Sequence, residues 1–165
     1  MTRPLHIYLQ DHLAGSTFGL RLAERCWRSN AGTEFAEPLA ELVAEIAEDR
    51  RTLLTLMREV GAKPSRTKVV AAWAAERARH LKPNGKFFEY TPLDRELELE
   101  SLAMGITGKR ALWLLLEDLS THGQGLGSHD FAALAERAAG QFARVEELRI
   151  AAGRIAFASR APAPV

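Results

Sequence analysis

The stretch from Phe35 to Val60 carries the pattern that most constrains how this chain folds. Apolar residues recur in it at alternating steps of four and three, which is the spacing of one face of an α-helix. The positions on that face are Phe35, Leu39, Leu42, Ile46, Asp49, Leu53, Leu56 and Val60. All are apolar except Asp49, and a charge on a packed helix face costs several kcal/mol unless it is compensated. We therefore expect Asp49 to have a partner: a metal ion or, in a purely structural role, His12 or an arginine.

Three further segments show the same helical period. They cover about 4–29, 93–120, and from 128 or 130 to 158. Short turns join the first helix to the second and the third to the fourth, so each pair is expected to run antiparallel. The long connection between the second and third helices is expected to contain a shorter helix at 65–80.

The composition favours an all-α fold. Ala, Leu, Glu and Arg dominate, whereas the β-branched residues are few. A chain of 165 residues suits one domain, which we expect at 1–158, followed by a disordered tail at 159–165.

Charge and targeting signals narrow the class of partner. The formal net charge of +1 gives no global field, so nucleic acid is not expected as the main partner. No signal segment or long apolar run occurs, and Cys26 is the only cysteine, so we expect a cytoplasmic protein without a membrane partner. A homo-oligomer formed through helical faces is possible, and the sequence does not identify another protein partner.

Polar residues near the middle of each helix form a candidate metal site. Carboxylates and imidazoles can bind iron or manganese when apolar neighbours exclude water. The predicted ligands are His12, Glu45, Asp49 and Glu100, with Glu48, Glu98 and Gln141 as weaker candidates.

In the third helix, we predict which face packs against the core and what two interior glycines do. The row through Met104, Ala111 and Leu115 is expected to face the core, with Glu100 at its edge. Gly105 and Gly108 each cost a helix about 1 kcal/mol relative to alanine, so we expect them to permit close packing against another helix.

The helix pattern and the third-helix sequence LELESLAMGITGKRALW resemble the ferritin-like superfamily, most of all its uncharacterised bacterial members. The resemblance implies a ferritin-like antiparallel four-helix bundle with an extra short helix in the long crossover. In bacterioferritins and rubrerythrins, glutamates and two Glu-x-x-His motifs bind two irons. When this ligand pattern is placed on the chain, the position of the first-helix glutamate falls near His12. The first Glu-x-x-His motif falls on Glu45 with Glu48 or Asp49. The second motif falls on Ala138 and Gln141 and is therefore lost.

Three functions are compatible with these residues. The first is a non-catalytic or degenerate-site bundle that acts by association, which the lost motif favours. The alternative is a bundle that binds iron or manganese and has redox or storage activity. The third is a small-molecule or nucleic-acid binder that uses the basic and aromatic stretch from Lys82 to Tyr90. Nucleophilic catalysis has little support, because Cys26 shares an apolar helix row with Leu22.

Overall fold

A computed structural model describes residues 2–63, 90–123, 125–126 and 129–158. Within these ranges every regular element is a helix and no strand occurs, so the predicted all-α class is confirmed for them. The helices are α1 (Arg3–Ser29), α2 (Ala36–Glu59), α3 (Pro92–Thr121) and α4 (Phe131–Ala156). The short helix predicted at 65–80 and the tail at 159–165 lie outside the described residues.

Local hydrogen bonds explain where the helices begin and end. At the start of α3, Thr91 Oγ1 accepts from the Asp94 backbone N–H at 3.2 Å, and Asp94 Oδ2 accepts from the Thr91 N–H at 2.9 Å. This reciprocal capping satisfies two amides that have no partner within the helix. Asp130 caps α4 by accepting from Ala133 N at 2.9 Å. Gly61, with φ at 72°, follows the end of α2.

The apolar face of α2 is buried in the core, as predicted. Its residues from Phe35 to Leu56 are buried, and Val60 is half-buried at the end of the helix. α1 packs against both α2 and α3, and α3 packs most closely against α4. The small buried side chains Ala135, Ala138 and Ala152 allow this close approach of α4.

The predicted buried face of α3 was wrong. Met104 is 50% exposed and Leu115 is 41% exposed, and Ala111 is also exposed. The observed buried face is rotated around the helix axis relative to the predicted one. Its residues are spaced alternately three and four positions apart in the sequence. Its members are Leu99, Leu102, Ile106, Lys109, Trp113 and Leu116, all buried except the half-buried Lys109.

Among the described helices, none combines the length and the apolar content that crossing a membrane requires.

Candidate functional site

Asp49 lies near the middle of α2 and is only 3% exposed. Its Oδ2 accepts hydrogen bonds from Lys109 Nζ at 2.5 Å and from Gln141 Nε2 at 3.1 Å. Its Oδ1 accepts from the guanidinium of Arg137. Lys109 Nζ also donates to Gln141 Oε1, which completes the contact between α2, α3 and α4. Both oxygens of the buried carboxylate are therefore bound by donors from the protein itself.

Lys109 supplies the positive charge opposite Asp49 because it lies on the buried face of α3. Its side chain is 15% exposed, and the aliphatic stem packs within the apolar face while Nζ reaches the carboxylate. Burial lowers the pKa of the Lys109 amine, and the charge of Asp49 opposes that effect. The apolar face of α2 and the buried face of α3 thus each contain one charged residue, and the two charges are opposite.

Arg137 extends this contact to the surface of the molecule. It reaches from α4 to Asp49 and also donates to Glu48 Oε1 at 2.8 Å. Burial opposes the charged form of Arg137, but the hydrogen bond to Glu48 and the charge of Asp49 outweigh it, and its pKa is raised. Hereafter, the Asp49 network denotes Asp49, Lys109, Gln141, Arg137 and Glu48.

The other predicted ligands do not bond to Asp49, although His12 lines the same cavity as Asp49 and Lys109. Glu45 pairs with Arg144 of α4 at 2.5 Å, and Glu100 is exposed on α3. His12 packs edge-on against Tyr8, with 4.5 Å between the ring centroids, and burial lowers its pKa. No hydrogen bond within the described residues joins His12 to the Asp49 network.

The structure therefore brings Asp49, Glu48 and Gln141 of the predicted set together, and these residues do not fit a metal ion. Over the described ranges, no three His, Cys, Asp or Glu side chains cluster closely enough to hold one. Two neighbouring cations, Lys109 and Arg137, would also repel another positive ion at Asp49. Metal binding stays a prediction.

Glu98 belongs to a second buried cluster, between the end of α1 and the start of α3. The residue is 1% exposed, and its Oε2 accepts a hydrogen bond from the Tyr90 hydroxyl at 2.9 Å. Arg25 Nε lies 2.9 Å from Oε1, at an angle that forms an ion pair without a hydrogen bond. Burial raises the pKa of Glu98, and the charge of Arg25 opposes that effect.

Cys26 lies in the same cluster, with Sγ 3.8 Å from the Tyr90 hydroxyl. Asn30 donates to that hydroxyl at 3.1 Å and to the Cys26 carbonyl at 2.7 Å. Burial, reinforced by the charge of Glu98, raises the pKa of the Cys26 thiol to about 12. Such a thiol is a poor nucleophile, so this cluster joins α1 to α3 and is not suited to nucleophilic chemistry.

A cavity of about 430 Å³ lies between α1, α2 and α3, beside the Asp49 network. Glycines line it on two helices, namely Gly15 and Gly19 on α1 and Gly105 and Gly108 on α3. In the part of the chain that the structure describes, a Cβ built at Gly19, Gly105 or Gly108 would meet no atom within 4 Å. The prediction that Gly105 and Gly108 permit close helix packing was therefore wrong, because both face open space.

The sequence contained a signal for the missed Lys109. Counting from Leu99 at steps of three and four gives an apolar face that only Lys109 interrupts, as Asp49 interrupts the face of α2. The choice of the face through Met104 placed Lys109 outside the expected core. The sequence predicted an arginine as one possible partner of Asp49, and Arg137 is that partner. The prediction did not include Lys109.

Comparison of the chain with protein-family models, with curated proteins and with solved structures gives no significant match. Over the residues that the structure describes, the fold and the Asp49 network define an all-helical protein with four helices and a buried ion pair.

Proposed function

We propose that this protein is a non-catalytic, ferritin-like antiparallel four-helix bundle that acts by association with a second copy of itself. In this proposal, the Lys109 ammonium and its neighbours stand where metal-binding members of the superfamily hold a cation. The observation that carries the proposal is the Asp49 carboxylate, whose two oxygens are bound by Lys109, Arg137 and Gln141.

Contacts near the helix ends support the antiparallel order of α1 and α2. His6, at the start of α1, donates to the Val60 carbonyl just after α2, at 3.1 Å. Thr17, further along α1, accepts from Arg50 Nε at 3.3 Å. Residue numbers therefore rise along α1 as they fall along α2.

Contacts between α2 and α3 support the long crossover of a ferritin-like bundle. Arg95 at the start of α3 lies over the ring of Phe35 at the start of α2, 4.2 Å from its centroid. Further along, Lys109 meets Asp49. Two helices that run in the same direction need a connection that returns along the length of the bundle, which the 32 residues from 60 to 91 can provide.

The Asp49 network supports a structural role in this fold. A single buried polar contact can fix the register of packed helices, because any shift leaves a charge without its partner. Moving α3 by one turn relative to α2 would separate Lys109 from Asp49 and leave both charges in an apolar environment.

Apolar side chains on the outer faces of α3 and α4 support association. Five large hydrophobic residues on these two helices, outside the cavity, are substantially exposed, and exposed apolar groups that form a patch are typical of interaction surfaces. They are Leu114, Leu115, Phe142, Ile150 and Ile155.

The association can be tested by light scattering after size-exclusion chromatography, over a range of protein concentrations. We expect the parent to be larger than a monomer and Leu115→Glu to shift it toward the monomer. Ile7→Glu is the matched control, because Ile7 is also exposed but lies at the start of α1. A parent that stays monomeric at high concentration, or an equal effect of both variants, would contradict association through α3 and α4.

A further inference from the structure

The cavity between α1, α2 and α3 has the dimensions of a site for one elongated molecule. Its lining extends along α1 from Tyr8 to Leu22, which is about 21 Å at the rise of an α-helix. Its volume of about 430 Å³ lies within the range of small-molecule sites in proteins. An extended hydrocarbon chain fits a site of this length and volume.

The walls of the cavity are mainly apolar, and the glycines keep it open. Side chains such as Leu22, Ile46, Leu53 and Leu102 line it, whereas the glycines remove bulk from α1 and α3. Glycine in a helix interior is unfavourable by about 1 kcal/mol relative to alanine, and no tight packing requires it at Gly19, Gly105 or Gly108. Space for a ligand gives these glycines a physical reason.

The charges that line the cavity indicate the sign of the ligand. Asp49 and Lys109 neutralise each other, and Asp11 is exposed to water. Arg50 donates from Nε to Thr17 and makes no ion pair with any described residue. Asp11 lies about 9 Å from Thr17 along α1. The part of the cavity beside Arg50, which bonds to Thr17, is therefore separated from the negative charge of Asp11.

From this combination we propose that the cavity binds a single-chain amphiphile with an anionic head, such as a long-chain carboxylate. The hydrocarbon chain lies along the glycine-lined walls of α1 and α3. The head pairs with the Arg50 guanidinium, which lines the cavity. This small-molecule site is separate from the proposed association through the outer faces of α3 and α4.

Isothermal titration calorimetry with dodecanoate below its micelle concentration tests the proposal. We expect saturable binding by the parent and about tenfold weaker binding by Arg50→Met, because a hydrogen-bonded ion pair to the head is lost. Arg51→Met is the matched control, since Arg51 is exposed and does not line the cavity, and its affinity should equal that of the parent. Dodecanol and dodecyltrimethylammonium should bind more weakly than dodecanoate.

Gly108→Leu tests the location of the hydrocarbon chain. The added side chain enters the cavity and should abolish dodecanoate binding without lowering the melting temperature, because helix propensity improves. Gly140→Leu gains the same propensity on α4, outside the cavity, and should bind as the parent does. Absence of saturable binding by the parent, equal affinity for dodecanol, or undiminished binding by Gly108→Leu would overturn the proposal. None of these outcomes depends on the oligomeric state.

Discussion

Replacing Lys109 with methionine tests the energetic role of the Asp49 network. The substitution keeps most of the side-chain volume and removes the ammonium group that bonds to Asp49 and Gln141. Removing one partner of a buried pair costs about 3–5 kcal/mol. Arg137 and Gln141 still bond to Asp49, so we expect the low end, about 3 kcal/mol. In a chain of this length, that loss corresponds to a melting temperature lower by about 6–12 °C.

Urea denaturation followed by circular dichroism measures this change, and a double-mutant cycle assigns it to the pair. We expect Asp49→Leu/Lys109→Met to be more stable than Lys109→Met alone, because the double variant no longer contains an under-compensated buried carboxylate. If Lys109→Met is as stable as the parent, or if the two substitutions are additive, the ion pair does not have the role that we assign to it.

Three further outcomes are expected. Gly105→Ala should raise the free energy of unfolding in urea by about 0.5–1 kcal/mol, because the new Cβ enters open space; a loss of stability would indicate a close contact there. Folding raises the pKa of Glu98, so the unfolded chain releases this proton at a lower pH than the folded protein does. The parent therefore loses stability as the pH rises from the ordinary pKa of glutamate to the raised pKa of Glu98. The melting temperature of Glu98→Gln relative to the parent should therefore rise over that interval and be constant above it, and a pH-independent difference would contradict the burial effect. Cys26, buried and with a pKa of about 12, should react with a thiol reagent at pH 8 only as fast as the protein opens, and rapid labelling of the folded protein would contradict this.

The periodic pattern was sufficient to predict the four helices and the core face of α2. On α2 the apolar residues from Phe35 to Leu56 occupy one face, and the charged residues around it leave no competing choice. The start of α4 was also predictable to within two residues, because Asp130, one of its two predicted starts, is a strong N-cap residue.

The buried face of α3 was not predictable in the same way, because this helix is apolar on more than one side. The rows through Met104 and through Ile106 have similar spacing, and only packing against α1 and α4 selects the second. That selection also determines the position of Lys109. The partner of Asp49 therefore depended on tertiary packing, although the need for a partner was evident from α2 alone.

The glycines show a related limit of sequence reasoning. Gly105 and Gly108 can serve either close helix packing or open space, and their positions in the sequence are the same in both cases. The absence of described atoms around their missing Cβ positions distinguishes the two. The cavity could therefore be recognised only from the relative placement of α1, α2 and α3.

The most direct test of the central proposal is the melting temperature of the parent and of Asp49→Asn, each with and without iron(II) or manganese(II). A cation that binds only the folded state raises the melting temperature by mass action. Because Lys109 and Arg137 already compensate Asp49, we expect neither metal to change the melting temperature of the parent, and Asp49→Asn to melt lower under every condition. A metal-dependent rise in the parent that Asp49→Asn abolishes would contradict the proposal and make Asp49 a metal ligand.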